Sequence, residues 1–312
     1  MTTAHAPRSI PASAVFDDYE TLVDSFVTSL WAANRSAQTV RTYRAGLSSF
    51  GKFLTEKGMP RNVAGLAREH VETFLAEQLQ GHAPATCRLW HAALALFFRW
   101  AVEEGEVRTS PMAHIPPPHV PEVPVPVPAE EQLKALLKAC AGNDFLDRRD
   151  AAILTLLMDC GLRRAELAAL KVADVDLKER IAYVASGKGG RPRVAPFGRK
   201  AALALDRYLR VRTRRPDAGS PYLWLGGKGA IVGETVRTML HRRCEQAGIP
   251  ALHPHQLRHA WAHMMLADGV QEESVMRLAG WRSRSMLGRY AAARADERAK
   301  EAHRMHSPGD RL

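Results

Sequence analysis

Between Pro111 and Pro128 the chain reads PMAHIPPPHVPEVPVPVP, eight prolines in 18 residues. Proline has no amide hydrogen and holds φ fixed, so neither a helix nor a central strand can run through such a stretch. An extended proline-rich segment rises about 3.1 Å per residue, which predicts a semi-rigid strap of roughly 55 Å. The chain is therefore expected to fold as two domains, and 312 residues give each side enough length for its own core. The expected divisions are a flexible arm over 1–16, a first domain over 17–110, the linker over 111–128, a second domain over 129–305 and a tail over 306–312.

Apolar residues before the linker recur at helical spacing. Leu22, Phe26 and Leu30 share one face, and Val40, Tyr43, Leu47, Phe50 and Leu54 share another. A third stripe runs Val71, Phe74, Leu75 and Leu79 to Gly81, and a fourth runs Leu89, Ala93, Leu96, Phe97 and Trp100. Four amphipathic helices predict a small bundle. After the linker the pattern is mixed. Helices are expected over 129–140, 147–160, 164–170, 199–212, 233–247, 254–268, 271–279 and 285–305. Ile181 to Ser186 alternates like a strand, GKGG turns, and Arg193 to Pro196 returns as a β hairpin.

Charge is unevenly spread. Residues 1–128 carry net −1 and residues 129–312 net +12, with 25 arginines against 8 lysines in the second part. Arginine grips phosphate with two parallel hydrogen bonds, so a basic, Arg-rich half points to a polyanionic partner. Within the first part, Arg35 to Arg61 is locally basic: Arg35, Arg41, Arg44, Lys52, Lys57 and Arg61 face only Glu56. No run approaches the roughly 20 apolar residues of a membrane helix, and the first 13 residues lack a signal's apolar core. The four cysteines form no CxxC pair, which argues against disulfides and a zinc site and for a reducing, cytoplasmic setting.

Four short stretches of the second part carry chemistry. In Cys160-Gly-Leu-Arg163-Arg-Ala-Glu166-Leu, an arginine sits between two helices with a glutamate three residues on to orient it. Lys188 stands at the tip of a glycine-flanked turn, with Arg191 and Arg193 following. Pro254-His255-Gln-Leu-Arg258-His259 opens a helix, and a spacing of three puts His255 and Arg258 on one face near its dipole-positive end. Last comes Ala279-Gly280-Trp281, with Arg289-Tyr290 nine residues beyond the Trp.

The joint order and spacing of these stretches resembles the tyrosine recombinase (phage integrase) family, over about Asp17 to His303. CGLRRAEL looks like its first arginine box, GKGGRPRVAP like its lysine hairpin, PHQLRHAWAHMMLADGV like its His-x-x-Arg box, and LAGWRSRSMLGRY like its last box with the tyrosine. TVRTYRAGLSSFGKFL stands where the family's core-binding domain is expected. The resemblance implies a mainly α, two-domain chain of the DNA breaking-rejoining type. An N-terminal four-helix, SAM-like core-binding bundle would precede a mixed α catalytic domain with a small β hairpin.

It further implies a site-specific recombinase that cuts and rejoins double-stranded DNA through a 3′-phosphotyrosine. Tyr290 would be the nucleophile, Arg163 and Arg258 the phosphate clamp, and Lys188 the acid toward the leaving 5′ oxygen. His255 would assist proton transfer, with Glu166 and His259 in support. Trp281 stands where the family more often has His; an indole can donate a hydrogen bond but cannot act as a base, so it is expected to pack and position. Arg41, Arg44, Lys52, Arg191 and Arg193 are the expected DNA contacts.

No cofactor and no metal are expected, because phosphoryl transfer needs mainly positioning and charge neutralisation, and the sequence has no GxxxxGK[ST] loop. The expected partner is DNA with an inverted-repeat site, bound by a tetramer on two sites; no membrane and no arm-type second DNA site are expected. A nucleoid-associated bacterial or phage protein fits these readings. A DNA-binding regulator would have lost Arg163, Arg258 or Tyr290, whereas all three are present. A type IB topoisomerase-like nicking enzyme and a metallohydrolase built on His253, His255 and His259 are the remaining alternatives.

Overall fold

The apolar stripes of the first part become four helices: α1 (Tyr19–Ala32), α2 (Ala37–Glu56), α3 (Arg68–Gly81) and α4 (Pro84–Glu103). They belong to a computed structural model that describes residues 17–121, 126–185, 192–227, 229–281, 283, 300 and 303–311. The chain divides into two units, with the boundary between residues 122 and 123. Local chemistry sets the helix starts. Ser36 Oγ accepts the Thr39 amide at 3.0 Å and caps α2. Pro84 opens α4, where its missing N–H has no partner to lose.

The core of the first unit is aromatic. Tyr19, Phe26, Phe50, Phe74 and Phe97 meet edge-on at centroid distances of 5.1 to 6.0 Å, the arrangement that ring quadrupoles favour. The buried Tyr19 hydroxyl donates to Leu47 O at 2.9 Å, so its polar end is satisfied. Two expected faces are corrected. Leu79 and Leu89 are exposed, and α4 buries Cys87, His91, Leu94 and Phe98 as well as Ala93 and Phe97. α4 packs against α1, α2 and α3 together. It therefore needs a wide apolar arc, and periodicity alone does not say which edge of that arc faces solvent.

The uninterrupted strap over 111–128 is also corrected. Met112 and Ile115 are buried in the first core, and His91 Nε2 lies 2.8 Å from Ile115 O. At the other end Val127 packs on the second core, and Pro126 O accepts from Gln256 Nε2 at 3.4 Å. Proline prevents regular structure but not burial, and Met112, Ile115 and Val127 each reach a core.

The second unit contains α5 (Glu130–Lys138), α6 (Phe145–Cys160), α7 (Arg164–Ala169), α8 (Arg199–Arg212), α9 (Gly233–Gln246), α10 (Pro254–Ala267) and α11 (Glu272–Ala279). A three-stranded antiparallel sheet runs in the order β1 (Val175–Asp176), β2 (Ile181–Val184), β3 (Arg193–Pro196), and β4 (Leu225–Gly226) pairs with β5 (Gly229–Ala230). The β2–β3 hairpin is the expected one, in the register Ile181 with Pro196 and Val184 with Arg193. β1, β4 and β5 were not expected, since two residues are too few to show alternation. α6 starts two residues earlier than the spacing predicts, because Asp144 Oδ1 caps it by accepting the Asp147 amide at 2.7 Å. The helix expected over 285–305 lies largely outside the described residues.

α6 is central, packed by α8 and α10, and arginines do much of the joining. Asp150, fully buried, accepts from Arg149, Arg242 and Arg243 at 2.6 to 2.9 Å. Buried Arg212 donates to the carbonyls of Ala218, Ser220, Tyr222 and Leu223. The arginine excess of this half is thus in part internal scaffolding.

Candidate active site

The site begins where α6 stops. Gly161 ends α6 with φ 56°, the left-handed region, and a Cβ there would lie 2.2 Å from Trp261 Cε3. Glycine is therefore required on both conformational and packing grounds. The turn it makes delivers Arg163 to the first position before α7, with 41% of its side chain exposed. Glu166, one turn into α7, accepts the Arg163 amide at 2.9 Å through Oε2 and Arg163 Nη1 at 2.7 Å through Oε1. Glu166 thus bonds both the backbone and the side chain of Arg163.

Arg258, on the first turn of α10, is 1% exposed. One guanidinium nitrogen donates to Gly161 O and the other to Ala279 O at 2.7 Å. Arg258 therefore joins the ends of α6 and α11 to the start of α10. Its guanidinium also lies 5.2 Å from the ring centre of Trp281, a cation–π contact. Trp281 follows Gly280, whose φ of 67° ends α11, and is buried. Trp281 therefore packs directly against Arg258.

Arg163, His255 and Arg258 line one cleft of about 370 Å³, together with Arg164, Arg237 and His253. Three distant chain segments supply it, and its charge is positive. That charge acts on the histidines. Burial, then Arg258 and Arg163, lower the His255 pKa. His259 stands edge-on to it at 4.6 Å, and burial, His255 and Arg258 push it down to about 4. Both shifts favour the neutral imidazole at neutral pH. Among the described residues no group of three His, Cys, Asp or Glu side chains is arranged to hold a metal.

Arg193, expected on DNA, is placed otherwise. Its two terminal nitrogens donate to Glu166 at 3.1 and 2.8 Å, and its Nε donates to Leu278 O at 2.7 Å. Its side chain is 9% exposed, so it is spent inside the protein. Lys188, Arg191 and Tyr290 lie outside the described residues.

In the first unit, Arg41, Arg44 and Lys52 are all exposed on α2. Arg44 pairs with Asp24 at 2.7 Å and Lys52 with Glu56 at 3.6 Å. Lys57 pairs with Glu77, and Arg61 pairs with Asp17 and Glu20. The basic stretch is therefore largely matched by acids from other elements. Among the described residues, Arg35 and Arg41 have no acidic partner. Sequence reading missed Arg164 and Arg237 in the cleft and the link from Arg193 to Glu166, and it weighed His253 only as a metal ligand. Only the place of Arg164 beside Arg163 in its motif could have signalled any of these.

The chain is similar to known proteins. Residues 127–297 match the Phage integrase family, and residues 23–105 match the phage integrase N-terminal SAM-like domain. The chain is 35% identical to the tyrosine recombinase XerC of Chromohalobacter salexigens, over 83% of this chain and 86% of that protein. It is 32% identical to the tyrosine recombinase XerD of Pseudomonas aeruginosa, over 92% and 97%. Among solved structures, XerH recombinase bound to a palindromic difH substrate superposes with a TM-score of 0.71 at 17% identity, covering 90% of this chain and 83% of that one. A lambda integrase dimer bound to a COC′ core site gives 0.69 at 17%, covering 87% and 94%.

Proposed function

This chain belongs to the phage integrase family and is a site-specific tyrosine recombinase, and from that premise we propose that it cuts and rejoins DNA with Tyr290 as nucleophile. The observation that carries the reading is the single cleft that brings Arg163, His255 and Arg258 together. The Tyr290 oxygen attacks the scissile phosphorus, and the bond to the 5′ oxygen breaks. The phenolic proton passes toward neutral His255, and Lys188 gives a proton to the departing 5′ oxygen. Arg163 and Arg258 neutralise the charge that grows on the non-bridging oxygens, a task that needs fixed donors rather than a metal. The 3′-phosphotyrosine keeps the energy of the broken link, and attack by another strand's 5′ hydroxyl reverses the step without nucleotide.

The same reading gives the chain an inverted-repeat site, bound by a tetramer that pairs two duplexes, and a place on bacterial or phage DNA in the cytoplasm. No described helix is long and apolar enough to cross a membrane. Both units are expected to contact DNA, the first through the Arg41 side of α2.

The test uses nicked duplexes of random sequence, covalent capture on the full chain, and sequencing of what is trapped. Enrichment of two inverted half-sites of roughly one helical turn each, with adducts that form in EDTA and vanish in Tyr290→Phe, is the expected result. Adducts that persist in Tyr290→Phe, or that require Mg²⁺, would overturn the reading. Strand exchange between two sites, rather than relaxation of one supercoiled circle alone, separates it from a topoisomerase.

A further inference from the structure

Glu166 is shared by two arginines, and the sharing is unequal. Arg193 takes both carboxylate oxygens with its two terminal nitrogens, whereas the Arg163 guanidinium reaches one oxygen through one nitrogen. Arg193 is then pinned from a third side by Leu278 O. A Cβ on Gly280 would stand 3.3 Å from Arg193 Cδ, so the backbone after α11 lies close against the arginine's stem. An arginine and a carboxylate with no competitor prefer a two-bond fork. Without Arg193, Arg163 would be drawn into that fork and its charge would be cancelled.

We infer that Arg193 is a positioning residue for the recombinase reaction: by occupying Glu166 it leaves the positive charge of Arg163 for the scissile phosphate. The inference rests on the functional reading above. Two arginines and one carboxylate leave one net positive charge, and it resides on the more exposed partner. Arg163 is 41% exposed and Arg193 is 9% exposed. Burial raises the Glu166 carboxyl, but hydrogen bonds from Arg193 and Arg163 bring it down to about 2, so it stays ionised. Arg193 also opens β3, directly after the connection that contains Lys188. One side chain therefore ties the β2–β3 hairpin, the start of α7 and the end of α11 together.

The experiment uses the full chain and the nicked duplex recovered by covalent capture, made in two forms. One carries the ordinary scissile phosphate. The other carries a methylphosphonate, which lacks the negative non-bridging oxygen that Arg163 is there to neutralise. Arg193→Gln should slow adduct formation on the phosphate by about 10- to 100-fold, the usual scale for a group that orients a reacting one. On the methylphosphonate the loss should be several-fold smaller. In a Glu166→Gln background, Arg193→Gln should add little, because no carboxylate remains to capture Arg163. Arg193→Lys, which keeps a charge beside Glu166, should lose less than Arg193→Gln, and it replaces that variant should the Gln protein fail to fold. Equal losses on both substrates, or no loss on the phosphate, would overturn the inference while wild-type adducts still support the recombinase reading. Absence of any wild-type adduct would instead overturn that reading and the inference with it.

Discussion

The carboxylate of Asp150, sealed inside α6, accepts the Nε–H of Arg243 on α9 at 2.8 Å. Arg149 approaches its other oxygen and Arg242 its outer edge. Asp150→Asn would leave buried Arg149 without its counter-charge and buried Arg243 with Asp147 alone. Removing one partner of a buried ion pair costs about 3–5 kcal/mol. Urea unfolding of the variant should show a loss of that size, although the position lies outside the catalytic cleft.

Gly161→Ala is expected to be as damaging from a single methyl group. The residue would hold a left-handed φ and press its Cβ into Trp261. Backbone strain and overpacking together predict a loss of roughly 3 kcal/mol. Adding Trp261→Leu should recover the packing part but not the conformational part, and thermal melts of the single and double variants would show whether it does.

Acid should destabilise the second unit in two stages with distinct owners. His259 is held down at about 4, below the ordinary 6.5. The unfolded chain therefore binds the extra proton first, and stability falls as pH drops from about 6.5 toward 4. Glu166, held at about 2 against 4.5, contributes stability above 4.5 that is lost as pH falls toward 2. Unfolding free energies measured between pH 7.5 and 4.5 should decline, and His259→Gln should flatten the decline. A profile unchanged by that substitution would show that another group controls this window.

Arg41 and Arg61 belong to the same basic stretch but should behave differently. Arg41 is exposed, and among the described residues its guanidinium bonds only to Gln38, at 3.3 Å, so Arg41→Ala should lower DNA affinity and reduce the log K against log salt slope by about 0.9 for the lost phosphate contact. Arg61 donates to Asp17, Thr55 and Gly51 O. Its substitution should lower the melting temperature and leave the salt slope intact.

These pairs also show what could be read from the sequence. Arg163, His255, Arg258 and Trp281 were legible because each sits in a short motif and the motifs keep their order. The helical stripes carrying Phe26, Phe50, Phe74 and Phe97 were legible because periodicity reports burial on one face. The bond from Arg193 to Glu166 was not, since 27 residues separate the two and an arginine after a glycine-rich turn looks the same whether it faces DNA or a carboxylate. Leu89 misled for a related reason: spacing marks an apolar stripe but not whether a neighbour covers its edge. Proline correctly forecast the absence of regular structure near Ile115, but it carries no information about burial.

Arg258 donates to Gly161 O and Ala279 O and lies over Trp281, so the arginine proposed to clamp the phosphate is also part of the architecture. Discarding Arg258 would strand two buried carbonyls and loosen three helix ends at once. A descendant that abandoned DNA cutting should therefore still keep Arg258, as a relic of chemistry no longer performed.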